Sequence, residues 1–101
     1  MTRPADHVVV VTFVIKDGHQ TSFRDAVIEN ARLSRAREPG CKVFDVCASS
    51  DHEIFLYEVY CSASDFQDHL ASDHFRTFDE TVGPWIASKS VVTYGRLSEG
   101  A

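Results

Sequence analysis

The segment HVVVVTFVI (7–15) is apolar and β-branched at nearly every position and gives way to Lys16-Asp17-Gly18-His19, so it reads as a strand covered on both faces. From Gln20 to about Arg37 the period becomes helical. Phe23, Ala26, Val27, Asn30, Leu33 and Ser34 fall on or beside one stripe, and Glu38-Pro39-Gly40 stops it. CKVFDVCAS (41–49) and EIFLYEVYC (53–61) are extended runs on either side of Ser50-Asp51-His52, a spacing that predicts an antiparallel hairpin. Ser64 with Gln67 predicts a capping box for a second helix carrying Phe66, Leu70, Phe75, Phe78 and Val82, broken between Ser72 and His74. Gly83 and Pro84 end that element, and KSVVTYGRL (89–97) supplies the last strand.

The order βαββαβ defines an α+β, ferredoxin-like fold: a four-stranded antiparallel sheet with helices on one face. Val43, Phe44, Val46, Phe55, Leu56, Tyr57, Val59 and Tyr60 make the hairpin apolar on both faces, and so short a chain has no second layer of its own. An uncovered apolar face of that kind marks an interface, so the pattern predicts a homodimer packed sheet to sheet, a dimeric α+β barrel.

Length changes the picture only by limiting it: 101 residues form one domain, 1–101, with a core from about 7 to 97. With 44% hydrophobic and 11% aromatic residues the chain folds. A net charge of −5 argues against a nucleic-acid partner, which needs clustered Lys and Arg. MTRPADH lacks the apolar stretch of a signal peptide, and the run from Val8 to Ile15 is too short to span a bilayer; a cytoplasmic protein without a membrane partner is expected. Cys41, Cys47 and Cys61 show no metal-ligand spacing and read as buried reduced thiols.

Candidate chemistry centres on polar residues in apolar stripes. His69 lies at the edge of the helical stripe, tilted toward the sheet, either as a satisfied core histidine or as a general base titrating near neutrality. Asn30 stands where the stripe running Phe23, Val27, Asn30, Ser34 calls for an apolar residue, so its amide must meet a substrate carbonyl or a backbone group. His74 sits at the helix break, as an exposed loop histidine or at a pocket rim. It lies five residues from His69, not the four that align two ligands on a helix face, so no metal site is expected there. His7, His19 and His52 fall at strand ends or turns and read as solvated.

Glu58 and Tyr60 share one face of their strand while Tyr57 and Val59 take the other. Glu58, a charge in an apolar strand, pairs with a partner-subunit cation or lines a cavity, and Asp45 is either solvated or orients a histidine. Tyr57, Tyr60, Phe44 and Trp85 form either core or the aromatic wall of a substrate site. The chain contains no GxGxxG, P-loop or GxSxG pattern, which leaves flavin, nicotinamide and nucleotide cofactors without support.

EPGCKVFDV (38–46), FLYEVYCSASDFQDHLASDHFRTF (55–78) and the strand order together resemble the antibiotic biosynthesis monooxygenase (ABM) domain, over most of the chain from about Val8 to Arg96. The resemblance implies a dimeric α+β barrel and chemistry without a cofactor, as in quinol and polyketide monooxygenases or the isomerase of phosphorylated autoinducer-2. It also implies a pocket-facing role for His69, because similar members carry a histidine there. The heme-degrading branch is excluded by its own pattern. It has Trp where this chain has His69, a heme-ligand His where it has Asp79, and an Asn on the first strand that is missing here.

The expectation is a monooxygenase that oxidises a small quinol or enolisable polyketide-like compound with O₂. His69 removes a proton, and Asn30 and a tyrosine hold the resulting oxyanion. Two alternatives stand beside it. One is an isomerase of a small hydroxy-dione, whose phosphate would call on Arg32, Arg35, Lys42 or Arg76; the other is a non-catalytic dimeric ligand-binding module.

Overall fold

The computed structural model describes residues 6–98. The elements follow in the order β1 (His7–Ile15), α1 (Gln20–Arg37), β2 (Cys41–Ala48), β3 (Glu53–Tyr60), α2 (Ala63–Ala71), α3 (Asp73–Val82), a 3-10 turn (Gly83–Trp85) and β4 (Ile86–Gly95). One sheet runs β2-β3-β1-β4 with each neighbouring pair antiparallel, the expected ferredoxin-like α+β arrangement.

β1 is central, and its composition follows from that position. Val9, Val11, Phe13 and Ile15 are buried in the core with Phe23, Val27 and Ala31 of α1 and Phe78 and Val82 of α3. Phe13, Phe23 and Phe78 meet edge to face at centroid distances of 5.0, 6.3 and 6.0 Å, and each would cost roughly 3–5 kcal/mol if cut to alanine. On the other face of β1, Val8 is buried but Val10, Thr12 and Val14 are only half-buried. Cover on both faces was expected; the chain itself covers one.

Local chemistry sets the boundaries. α1 stops where Pro39 cannot continue it, and the Glu38 N–H still donates to the Ser34 carbonyl. The cap of α2 is Ser62, not Ser64: Ser62 is extended (φ −157°), its Oγ accepts from the Asp65 N–H at 3.1 Å and donates to Asp65 Oδ2 at 2.8 Å. Ser64 already lies inside the helix. Ser72 is the extended residue (ψ 151°) that divides α2 from α3; its Oγ accepts from the Phe75 N–H and donates to the His69 carbonyl. The expected break therefore falls at its first residue.

β4 begins at Ile86, three residues before the expected start, because the 3-10 turn ends at Trp85. Beyond Ile86 it is an edge strand exposed along its length. In β2 a register shift between Cys41 and Val43 lets Lys42 reach Asp6 Oδ2 at 3.0 Å and sets Phe44 opposite Glu58. Cys41 is buried as expected, whereas Cys47, on the uncovered face, and Cys61, just past β3, are exposed. No helix among the described residues is long and apolar enough to cross a membrane.

Candidate active site

His69 lies in the last turn of α2, its side chain 3% exposed. Phe44, Tyr60, Phe66 and Phe75 surround the ring at centroid distances of 5.8, 5.5, 6.2 and 5.0 Å. Its Nδ1 lies 2.8 Å from Glu38 Oε2, and its Nε2 lies 4.0 Å from Glu58 Oε1. A carboxylate only accepts, so Nδ1 carries the proton that Glu38 takes in hydrogen bond and Nε2 keeps its lone pair. Desolvation holds the imidazole below its ordinary pKa, with the Glu38 hydrogen bond opposing it. The ring is therefore neutral at pH 7, as a base must be.

Glu58 projects from β3 toward the helices and is 3% exposed. Burial pushes its carboxyl up to about 7, against the opposing hydrogen bond from the Tyr60 hydroxyl, which donates to Oε1 at 2.5 Å. Lys89 of β4 favours the charged form from a distance, and its Nζ rests 5.5 Å from the Phe13 ring centre. Burial raises the Tyr60 phenol, so it stays a donor.

These groups border a cavity of about 40 Å³ walled by Phe44, Leu56, Phe66, Phe75 and Phe78, with Lys89 and Val91 on the β4 side. Asn30, 3% exposed, lines it too, and its Oδ1 is buried without a partner. Asn30 also lines a groove of about 300 Å³ between α1 and α3, where His74 stands on the far wall.

The structure thus brings together His69, Asn30, Glu58 and Phe44 around one cavity, with Tyr60 behind Glu58. His74 is buried rather than loop-exposed, and its Nε2 shares Glu38 Oε2 with His69. Two members of the expected aromatic wall are elsewhere. Tyr57 pairs across from Asp45 and Val10 on the uncovered face, and Trp85 stacks on His19 at 5.7 Å beside the Lys16 loop. Among the described residues no tyrosine hydroxyl is left to donate to an oxyanion at the cavity, because that of Tyr60 is given to Glu58. Glu58 lines the cavity, one of its two expected placements, and accepts the Tyr60 hydroxyl of its own chain, while Asp45 is exposed. Of the histidines read as solvated, His7 packs on Phe66 and His19 on Trp85, while His52 meets Asp17 at 3.2 Å.

Two residues escaped the sequence reading. Glu38 carried a visible signal: an acid at a helix C-terminus opposes the helix dipole, and such a residue wants a local reason. Lys89 carried none, since a lysine on an edge strand is ordinary. His69 and His74 share one carboxylate despite their five-residue spacing, because Ser72, at the expected break, turns the chain between them.

A small ferredoxin-like α+β domain with a carboxylate-held histidine in an aromatic cavity is the class that fold and site define. The family model described as antibiotic biosynthesis monooxygenase (ABM) matches residues 6–81, and the chain belongs to that family. Among solved structures it is similar to a candidate antibiotic biosynthesis monooxygenase from Nitrosomonas europaea. The two are 30% identical with a TM-score of 0.89, over 100% of this chain and 99% of that one. A counterpart from Bacteroides thetaiotaomicron (18% identity, TM-score 0.89, 96% and 94% covered) and a protein of Mycobacterium tuberculosis (23%, 0.87, 96% and 100%) share the fold. A search of curated proteins found no match. Family and neighbours support a monooxygenase-like function.

Proposed function

We propose that the protein is a cofactor-independent monooxygenase acting on a small quinol or an enolisable, polyketide-like ring compound. The observation that carries this reading is the Glu38–His69 pair at 2.8 Å, which aims the free Nε2 at a phenylalanine-walled cavity beside a carboxyl that titrates near 7. His69 takes a proton from the substrate, and Glu38 stabilises the imidazolium that forms. The resulting carbanion or phenolate gives electrons to O₂. In an enolisable substrate an activated CH₂ becomes C=O, and in a quinol a ring C–H becomes C–OH as the two phenol O–H groups become C=O. In both, one oxygen atom stays on carbon, the other leaves as water with two substrate hydrogens, and the substrate supplies all four electrons.

Lys89, at the cavity on the β4 side, takes the oxyanion role in place of a tyrosine. Asn30 offers an acceptor, Oδ1, to a substrate hydroxyl. Glu58, when protonated, supplies the proton for the departing water. At about 40 Å³ the cavity suits O₂ or water, so a ring-sized substrate requires its wall to open, a movement assigned in this reading to Lys89, which rests against Phe13 on the β4 side. Two copies pack through the uncovered sheet faces, supported by exposed Phe55, Val92 and Tyr94.

Oxygen uptake by the metal-free protein against a panel of quinols and cyclic diketones tests this. His69→Ala is expected to lower turnover by ~10²-fold or more. The wild-type rate should rise as His69 loses its proton, below the ordinary imidazole pKa, and fall as Glu58 loses its own near 7. Uptake that is unchanged in His69→Ala removes the base assignment. One observation favours a second reading, an isomerase: two proton carriers, His69 and Glu58, stand 4.0 Å apart on one cavity. Deuterium exchange into a diketone without oxygen uptake would select it.

A further inference from the structure

We propose that Glu38, His69 and His74 form a binding site for a divalent first-row transition ion of the zinc or ferrous class. Three elements contribute one donor each: the C-cap of α1, the last turn of α2 and the first turn of α3. One ligand atom from each of Glu38, His69 and His74 lies within 4.8 Å of the others, and Glu38 Oε2 is in hydrogen-bond contact with both His69 Nδ1 and His74 Nε2. Donor atoms around an ion at ~2.0–2.2 Å stand about 3–3.6 Å apart, so the two hydrogen-bonded pairs, His69 Nδ1 at 2.8 Å from Glu38 Oε2 and His74 Nε2 closer still, need to spread by about 1 Å or less to admit one.

The donor set selects the ion. Two imidazoles with one carboxylate suit zinc, iron or cobalt, whereas magnesium and calcium call for oxygen throughout. Burial supports the same conclusion: the side chains of His69, His74 and Glu38 are 3%, 4% and 12% exposed, so water competes poorly.

An independent observation comes from the other carboxylate oxygen. Hydrogen bonds alone satisfy Oε2 with two imidazole N–H donors and leave Glu38 Oε1 buried with no partner. Chelation by both oxygens removes that orphan. Ser72 Oγ and Ser34 Oγ, 3.2 Å from His74 Nε2 and 3.4 Å from His69 Nδ1, give their protons to the His69 and Asn30 carbonyls, so neither hydroxyl donates to the nitrogen lone pairs that an ion would take. The groove of about 300 Å³ between α1 and α3 gives a path to His74 from solvent.

Sharing His69 has a functional consequence. An ion on Nδ1 takes the place of the proton given to Glu38, so the neutral ring carries its proton on Nε2 instead and has no lone pair there to act as a base. Metal loading then restrains the proposed oxygenation, and this part rests on that reading. Binding itself does not.

The test is titration of untagged, chelator-treated protein with Co²⁺, read by visible d–d absorption without substrate, followed by displacement with Zn²⁺. One ion per chain is expected, with affinity weakened by about 100-fold or more in His74→Ala and in Glu38→Gln. His74→Gln, closer in volume, replaces His74→Ala if circular dichroism shows the latter unfolded. No d–d band at stoichiometric Co²⁺, or equal affinity in the variants, overturns the site. Cobalt binding with no oxygen uptake from any substrate leaves the site standing and removes the oxygenase reading. Uptake without cobalt binding does the reverse.

Discussion

On the helix-covered face of the sheet, Glu58, His69 and Glu38 are shut among phenylalanines, whereas on the opposite face Val10, Val14, Phe55, Val92 and Tyr94 stand half-buried or exposed. Each face carries residues that an isolated domain would place on the other. Burying ionisable groups is costly unless they are paired, and leaving aliphatic and aromatic groups in water forgoes roughly 1.5–3 kcal/mol per large side chain. On the function proposed above, both departures have a use. The buried ionisable groups are paired with one another and border a cavity, and the exposed apolar groups form a continuous strip across β3, β1 and β4 that a second copy can cover.

The largest effect is expected on the uncovered face. Phe55→Asp combined with Val92→Asp puts two charges into the proposed sheet-to-sheet contact, where each unpaired charge costs several kcal/mol, on the order of 3–5. Light scattering is expected to give twice the chain mass for the wild type and one chain mass for the double variant. A wild-type monomer at micromolar concentration would sink the dimer.

The buried face gives the next effect, through Glu58. Its carboxyl moves from an ordinary 4.5 to about 7 on folding, so the folded state holds the proton more tightly than the unfolded state. Stability therefore declines as pH rises from 4.5 through about 7, and above that range the full cost is present. The shift corresponds to about 3 kcal/mol. Glu58→Gln keeps an acceptor for the Tyr60 hydroxyl and cannot ionise. Urea unfolding should show the variant more stable by about that amount at pH 8 and nearly equal at pH 4.5. Equal gains at both pH values would mean that packing, not charge, distinguishes the two side chains.

The fold was legible because its signals are local: the β-branched run of β1, the helical stripe ending at Pro39, and the two apolar strands around a polar turn. The site was half legible. Asn30, His69 and Glu58 could be found because each interrupts an apolar pattern, and such an interruption is visible in one dimension. What joins them is not. Glu38 meets His69 across 31 residues, and that meeting depends on where Ser72 breaks the helix and how closely α2 approaches the end of α1. Aromatic identity misled for the same reason, since Tyr57 and Trp85 are as aromatic as Phe44 yet lie on another face and at another end.

The smallest expected effect tests that close approach. A Cβ placed on Gly40 would lie 2.3 Å from Asp65 Cγ and 2.6 Å from its Cβ, while the Gly40 carbonyl accepts from the Cys61 N–H at 2.8 Å. Asp65 cannot simply swing aside, because its backbone N–H and its carboxylate are both held by Ser62 at the start of α2. In Gly40→Ala the start of α2 must therefore move away from the Glu38–Gly40 turn. The overpacking is expected to cost ~1–3 kcal/mol in thermal or urea unfolding. Gly95→Ala, with open space around it on the edge strand, is expected to stay within ~0.5 kcal/mol. Activity should separate the two faces further: Gly40→Ala lengthens the Glu38–His69 contact and lowers turnover, yet leaves the uncovered face and its dimer unchanged. A Gly40→Ala protein with full turnover would mean that the pairing of Glu38 with His69 does not depend on how tightly α2 docks.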